Sequence, residues 1–100
     1  MDQYNFGREK EALVAAELRR LGYTGVGLTE RSKGSYDVYA KNGSGRWMLV
    51  QVKASRISVG NPTATGEDKQ RLLNSAIQHA AEAWIAYVVG NQIEWESVRA

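Results

Sequence analysis

The chain has 100 residues, 43% hydrophobic and 24% charged, with a net charge of +2, and reads as one soluble globular domain over 1–100 with a single core. It has no cysteine and one histidine, His79, which excludes disulfides, thiolate metal sites and histidine-built zinc sites; a bound metal would need oxygen ligands. No apolar run approaches the ~20 residues of a bilayer span, and the polar start MDQYNFGREKE is not a secretory signal, so a cytoplasmic protein without a membrane partner is expected.

Residues 5–21 have helical periodicity: Val14, Leu18 and Leu21 recur at i, i+4 and i+7, Asn5 stands where a cap belongs, and Gly22 where a helix ends. YTGVGLTE is a short strand candidate, weakened by Gly25 and Gly27. Strands near 36–41 and 46–55 follow, joined by NGSG into a hairpin. SRISVGNPTATG is the longest loop-like stretch. A second helix fits 66–80, with Thr65 and Asp68 at capping-box spacing and a stripe of Leu72, Leu73, Ala76, Ile77 and Ala80. AWIAYVV and QIEWESV form a last hairpin around Gly90-Asn91. The order α-β-β-β-α-β-β predicts a mixed sheet with a helix on each face, in the α/β or α+β class.

Charge is unevenly spread. Residues 31–56 carry Arg31, Lys33, Lys41, Arg46, Lys53 and Arg56 against Asp37 alone, a local +5, while 1–30 sum to −1 and 57–100 to −2. Two readings fit: an anionic partner such as nucleic acid at this face, or basic residues guarding strand edges. On charge placement Arg31, Lys33 and Arg56 are the preferred phosphate contacts. Lys69, Gln70 and Arg71 open the second helix, where they contact phosphate or form a solvated turn.

The second strand of the first hairpin, RWMLVQVKAS, sets the main question. Met48, Val50, Val52 and Ala54 form an apolar face; Trp47, Leu49, Gln51 and Lys53 form another that turns polar. A half-buried lysine needs a partner or a use, and Asp37 on the neighbouring strand is the expected partner. A three-residue loop, Gly43-Ser44-Gly45, with a left-handed glycine at its end, pairs Asn42 with Arg46 and brings Asp37 opposite Gln51. Glu11 precedes Val14, Leu18 and Leu21 at i, i+3, i+7 and i+10, so it heads the buried stripe of the first helix and can join the cluster. Alternatively it is a first-turn glutamate favoured by the helix dipole.

Two carboxylates and an amide oxygen suit magnesium, and a nearby lysine can orient or deprotonate water or neutralise charge on a phosphorane. The pattern points to metal-dependent phosphodiester cleavage.

These residues resemble the PD-(D/E)XK nucleases, and within them the archaeal Holliday junction resolvases. Gly7-Arg-Glu-Lys-Glu11 followed by ALVAAELRRLGY resembles the family's first helix; SYDVYA its aspartate-bearing strand; LVQVKAS its E-x-K strand, with Gln51 at the acidic position as in the Q-x-K of Mrr-like endonucleases. The resemblance implies a restriction-endonuclease-like αβββαβ core with an extra C-terminal strand. It implies a magnesium-dependent DNA endonuclease (manganese as substitute) acting as a homodimer on branched DNA such as a four-way junction. Carried over by position, Glu11, Asp37 and Gln51 are metal ligands and Lys53 the catalytic lysine, with Ser32 and Ser35 near a phosphate-contacting serine. Rival readings are a binding module that grips DNA without cutting, an Mrr-like enzyme cutting duplex, and an assembly protein in which Asp37 and Lys53 form a buried ion pair. Trp84 and Trp95 belong to the core or, if exposed, to a dimer interface.

Overall fold

The computed structural model describes residues 3–30, 34–56 and 60–100. Its elements run α1 (Gln3–Arg20), β1 (Thr24–Leu28), β2 (Val38–Lys41), β3 (Trp47–Ser55), α2 (Gly66–Gln78), β4 (Glu82–Val89) and β5 (Gln92–Val98), the order expected. The strands form one mixed sheet in the order β1-β2-β3-β4-β5, in which only β3 and β4 are parallel. A parallel pair needs a crossover, and α2 supplies it. Among the described residues no helix is long and apolar enough to cross a membrane.

Each sheet face carries one helix. Val14, Ala15 and Leu18 of α1 pack on Val38, Ala40, Met48, Val50, Ala86 and Val88. On the other face Leu72 and Ala76 of α2 pack on Leu49, Ala81, Ala83 and Ile85. The alternation within β3 thus feeds two cores, as its two side-chain faces require.

Both helices extend less far along their stripes than periodicity alone suggests. α1 begins at Gln3, so Asn5 lies inside it, and it stops at Arg20. Gly22 takes φ 95°, with Tyr23 N–H donating to the Leu18 carbonyl and Gly22 N–H to that of Arg19, a Schellman ending that turns Leu21 outward, 52% exposed. α2 closes in the same way, with Ala80 at φ 51° where Gly22 stands in α1, and Ala81 N–H on the Ala76 carbonyl. Ile77 is 65% exposed and Ala80 lies beyond the helix, so neither belongs to the buried stripe.

β1 forms despite its glycines, because neighbouring aromatic rings fill the space above them. A Cβ on Gly27 would lie 2.5 Å from the Tyr39 hydroxyl, and one on Gly25 would lie 3.2 Å from the Trp47 ring. Tyr39 and Trp47 meet edge to face, with centroids 6.1 Å apart. Trp84 and Trp95 do likewise at 6.5 Å on the α1 face, half-buried against its core.

Candidate active site

The β2–β3 turn sets the register at the site. Asn42 N–H donates to the Arg46 carbonyl at 2.9 Å, the Asn42 side chain accepts Ser44 N–H and Arg46 N–H at 3.0 Å each, and Gly45 takes φ 83°. This is the three-residue loop, and Val38 consequently pairs with Val50, Lys41 with Trp47. The pairing ends at Val38 and Val50, one step short of the expected Asp37–Gln51 pair, and the Asp37 N–H turns to the Val50 carbonyl instead.

On its β2 side β3 pairs only up to Val50, while on its β4 side it is paired to Ser55. The chain before β2 diverges there, and Asp37 stands at the fork. Its backbone N–H donates to the Val50 carbonyl at 2.8 Å, and its carboxylate Oδ2 accepts Val52 N–H at 2.9 Å. A side chain thereby continues the ladder where the backbone leaves it. The other carboxylate oxygen takes no hydrogen bond among the described residues.

Asp37 is 8% exposed, and burial is the main cause of a pKa pushed up to about 6. The Val52 hydrogen bond opposes that rise. Glu11's charge adds to it, and Lys53 and Arg8 offset it. The charges of Glu11, Lys53 and Arg8 thus act on the Asp37 carboxylate.

Glu11 is buried, 5% exposed, one turn above Val14 in the apolar stripe of α1. Its Oε1 accepts from Arg8 at 2.8 Å, and the same guanidinium nitrogen donates to the Thr29 carbonyl at 2.9 Å, tying α1 to the end of β1. A cleft of about 440 Å³ opens beside Glu11, lined by Phe6, Gly7, Val52, Ala54, Ser55 and Arg56. Arg8 was not singled out by sequence reasoning; its place one turn before Glu11 was the available signal.

Gln51 is 9% exposed, and its Oε1 is buried with no hydrogen-bond partner among the described residues. An orphaned amide oxygen is costly, and it is also an open acceptor for a cation or donor.

Lys53 requires a correction. Its ion-pair partner is Asp68 of α2, at 3.0 Å, and not Asp37. The Asp68 carboxylate also accepts Thr65 N–H at 3.1 Å, while Thr65 Oγ1 accepts Asp68 N–H at 3.0 Å, the reciprocal capping box expected at this spacing. Its other oxygen accepts from Arg71 at 3.0 Å. The Thr65 hydrogen bond first, then Lys53, holds the Asp68 carboxyl well below the usual carboxylate range. Sequence reading recognised the cap but not the second use of its carboxylate, because no local pattern reports where α2 docks.

The remaining expected contacts are dispersed. Arg31, Ser32 and Lys33 lie outside the described residues. Ser35 is hydrogen-bonded to Ser75 of α2 through their hydroxyls, and Lys69 is paired with Glu96 at 3.0 Å. Arg56 is exposed and stacks on Phe6, its guanidinium carbon 4.4 Å from the ring centroid, at the mouth of the cleft that holds Glu11. His79 is the exposed C-cap of α2.

Glu11, Asp37 and Gln51 offer oxygen donors, the type a hard divalent cation takes. Among the described residues no cluster of three or more His, Cys, Asp or Glu side chains could hold a metal, and the Gln51 Oε1 is a neutral oxygen without a hydrogen-bond partner there. A buried Asp37 carboxylate whose ionisation the Glu11 charge makes costlier, and an amide oxygen with no hydrogen-bond partner among the described residues, are what such an ion would relieve.

No family model and no curated protein matches the chain. Solved structures do. A Holliday junction resolvase, Hjc, from the archaeal hyperthermophile Archaeoglobus fulgidus superimposes with a TM-score of 0.75 at 19% identity, over 92% of this chain and 72% of that one. The crystal structure of SSO0001 gives a TM-score of 0.60 at 16% identity, over 94% of this chain and 50% of that one, so this chain spans half of it. The fold is therefore shared with a resolvase: two helices and a five-stranded mixed sheet of the α+β class.

Proposed function

We propose that the chain is a magnesium-dependent endodeoxyribonuclease of PD-(D/E)XK type, in its Q-x-K form, that acts as a homodimer on branched DNA such as a four-way junction. Manganese would substitute for magnesium. The observation that carries this reading is the buried Asp37 carboxylate bound to the Val52 N–H, between Gln51 and Lys53 in sequence, where β3 projects past β2, with the charges of Glu11 and Lys53 acting on it. The shared fold with a Holliday junction resolvase adds to it.

Asp37, Glu11 and Gln51 would hold the ion. A bound magnesium supplies a Lewis acid for the phosphate oxygens and lowers the pKa of water. Val52 N–H fixes one Asp37 oxygen and leaves the other for ligation. Arg8 orients the Glu11 carboxylate from inside the same helix. Lys53 presents its ammonium at the same strand end, where it neutralises charge that builds on the phosphorane. Arg56, exposed at the cleft mouth, suits a phosphate of the DNA backbone, as do Arg31 and Lys33 by their charge. Ser35 and Lys69 serve less well because each already has a partner within the fold. Exposed Ile77 and Trp47 are the large apolar side chains available to a second copy on the α2 side of the sheet.

A second reading is favoured by one residue. Gln51 leaves the centre a neutral ligand where a third carboxylate would strengthen it, so a module that binds DNA and cuts poorly fits the same surface. An Mrr-like cutter of duplex is the other variant. The deciding experiment incubates a labelled four-way junction and a matched linear duplex with the protein and with Lys53→Ala, in magnesium, manganese or chelator. Metal-dependent cutting of the junction alone, absent in the variant, is expected. Cutting of both substrates assigns the Mrr-like activity, and binding that is equal in chelator with no cutting assigns the binding module.

A further inference from the structure

We propose that Asp68 is the positioning residue of this site: its carboxylate holds the Lys53 ammonium in place and makes the first turn of α2 part of the catalytic machinery. The inference rests on the nuclease reading and deepens it.

Lys53 is a long, flexible side chain with two carboxylates within reach of its charge, Asp37 and Asp68. It pairs with Asp68 at 3.0 Å. That choice leaves Asp37 with Val52 N–H as its hydrogen-bond donor and keeps its second oxygen open. Had Lys53 paired with Asp37, the lysine would compete with any cation for the same oxygens.

Asp68 is a rigid anchor. It is buried, its Oδ2 takes Thr65 N–H as well as Lys53, and its Oδ1 takes Arg71. The neighbouring Lys69 reaches Glu96 at 3.0 Å, and Glu96 accepts the Tyr87 hydroxyl at 2.6 Å. Tyr87 is the register partner of Lys53 across the parallel pair. The first turn of α2 is thus clamped to β3 through Asp68 and to β5 through Lys69. Its placement over Lys53 is determined from both sides.

The cap itself does not need a charge. A capping box requires only a side-chain acceptor at this position for the Thr65 N–H. Asparagine provides that acceptor without the charge, and glutamate provides both on a longer stem. Capping and positioning are therefore separable.

The test compares Asp68→Asn, Asp68→Glu and Thr65→Ala with the wild-type chain and Lys53→Ala. Single-turnover cutting of the four-way junction, junction affinity and thermal stability are measured for each. Lys53 is also observed directly, in chelator, by NMR of its Cε methylene group. We expect Asp68→Asn to cut about 10- to 100-fold more slowly at unchanged junction affinity, the usual cost of losing a group that orients a reacting one. Asp68→Glu should recover most of the rate. Thr65→Ala should lose melting temperature but cut normally below it. The inequivalent Cε protons of an ordered Lys53 should become equivalent in Asp68→Asn.

A wild-type rate in Asp68→Asn while Lys53→Ala is inactive overturns the positioning role and leaves the nuclease reading intact. A rate lost equally in Thr65→Ala overturns it too, because the effect is then structural. Equivalent Cε protons in the wild-type chain overturn it independently of any activity. If the wild-type chain cuts no DNA with either metal, the nuclease reading falls and the positioning role with it.

Discussion

The Asp37 carboxylate accepts the backbone N–H of Val52 at 2.9 Å, occupying the ladder position that β2 vacates. One carboxylate is thereby fixed at the strand end at the cost of being buried. Its pKa is pushed up to about 6 by that burial, with Glu11 adding to the rise. The folded chain therefore holds the Asp37 proton at a pH where the unfolded chain, with the ordinary value near 3.8, has lost it. Unfolding stability must fall as pH rises between those values, by about 3 kcal/mol in all, of which roughly 1 kcal/mol lies between pH 5 and 7. Asp68 and Glu96 are held below their ordinary values, so their contributions are lost only under more acid conditions. Urea titrations of the wild-type chain and Asp37→Asn at pH 5 and 7 check this. The variant should show the smaller dependence and the higher stability at pH 7; parallel curves would place the titration elsewhere.

Gln51→Glu adds a carboxylate next to the Val52 N–H that binds Asp37, where the amide oxygen has no hydrogen-bond partner among the described residues. Without metal the variant should be less stable by on the order of 2 kcal/mol, as expected for an unpaired buried charge that can relax or protonate. With manganese the order should reverse. Calorimetric titration should give tighter binding than in the wild-type chain, and the melting temperature should rise further on adding the ion. Equal metal-induced shifts in the two proteins would mean that Gln51 does not face the ion.

Lys53→Ala separates a catalytic lysine from a structural one. Its partner Asp68 keeps the Thr65 N–H and Arg71 when the lysine is removed, and the Lys53 side chain is 29% exposed. The expected stability loss is no more than about 1 kcal/mol, the range of partly exposed pairs, while junction cutting is lost. A loss of about 3 kcal/mol or more in a denaturant titration would instead identify a buried structural pair.

Ala80→Gly should stabilise the chain. Ala80 holds φ 51° in the Schellman ending of α2, the position that Gly22 occupies in α1. The left-handed conformation costs a side-chain residue about 1–2 kcal/mol, offset in part by the greater freedom of glycine in the unfolded state. A net gain of about 0.5 kcal/mol in the urea midpoint is expected, with no effect on DNA cutting. A loss would show that the Ala80 methyl contributes packing that its exposure does not suggest.

Much of the local geometry around β3 was legible in the sequence. Glu11 heads the α1 stripe because it stands three residues before Val14. Val38 comes opposite Val50 because Asn42 and Gly45 specify a three-residue turn, and strand pairing propagates that register as far as β2 runs. Thr65 and Asp68 announced their capping box at the spacing where it forms. The two helices, five strands and their order follow from the same short-range signals: apolar period, caps and turns.

What remained hidden depends on contacts far apart in the chain. Leu21 and Ile77 match their stripes by period, yet lie exposed, because helix endings and the width of the sheet decide how much of each stripe is covered. Arg8 reaches the Thr29 carbonyl, and Lys53 chooses Asp68 over Asp37, only once α1 and α2 are docked on opposite faces. The sequence by itself therefore determined the elements, the register of β2 against β3 and the capping box of α2. Which carboxylate binds the lysine, which stays open and which oxygen is left unpartnered were decided by the tertiary structure. Turn stereochemistry and side-chain period act over a few residues, whereas an ion pair is set by the distance between elements that meet only in the folded chain.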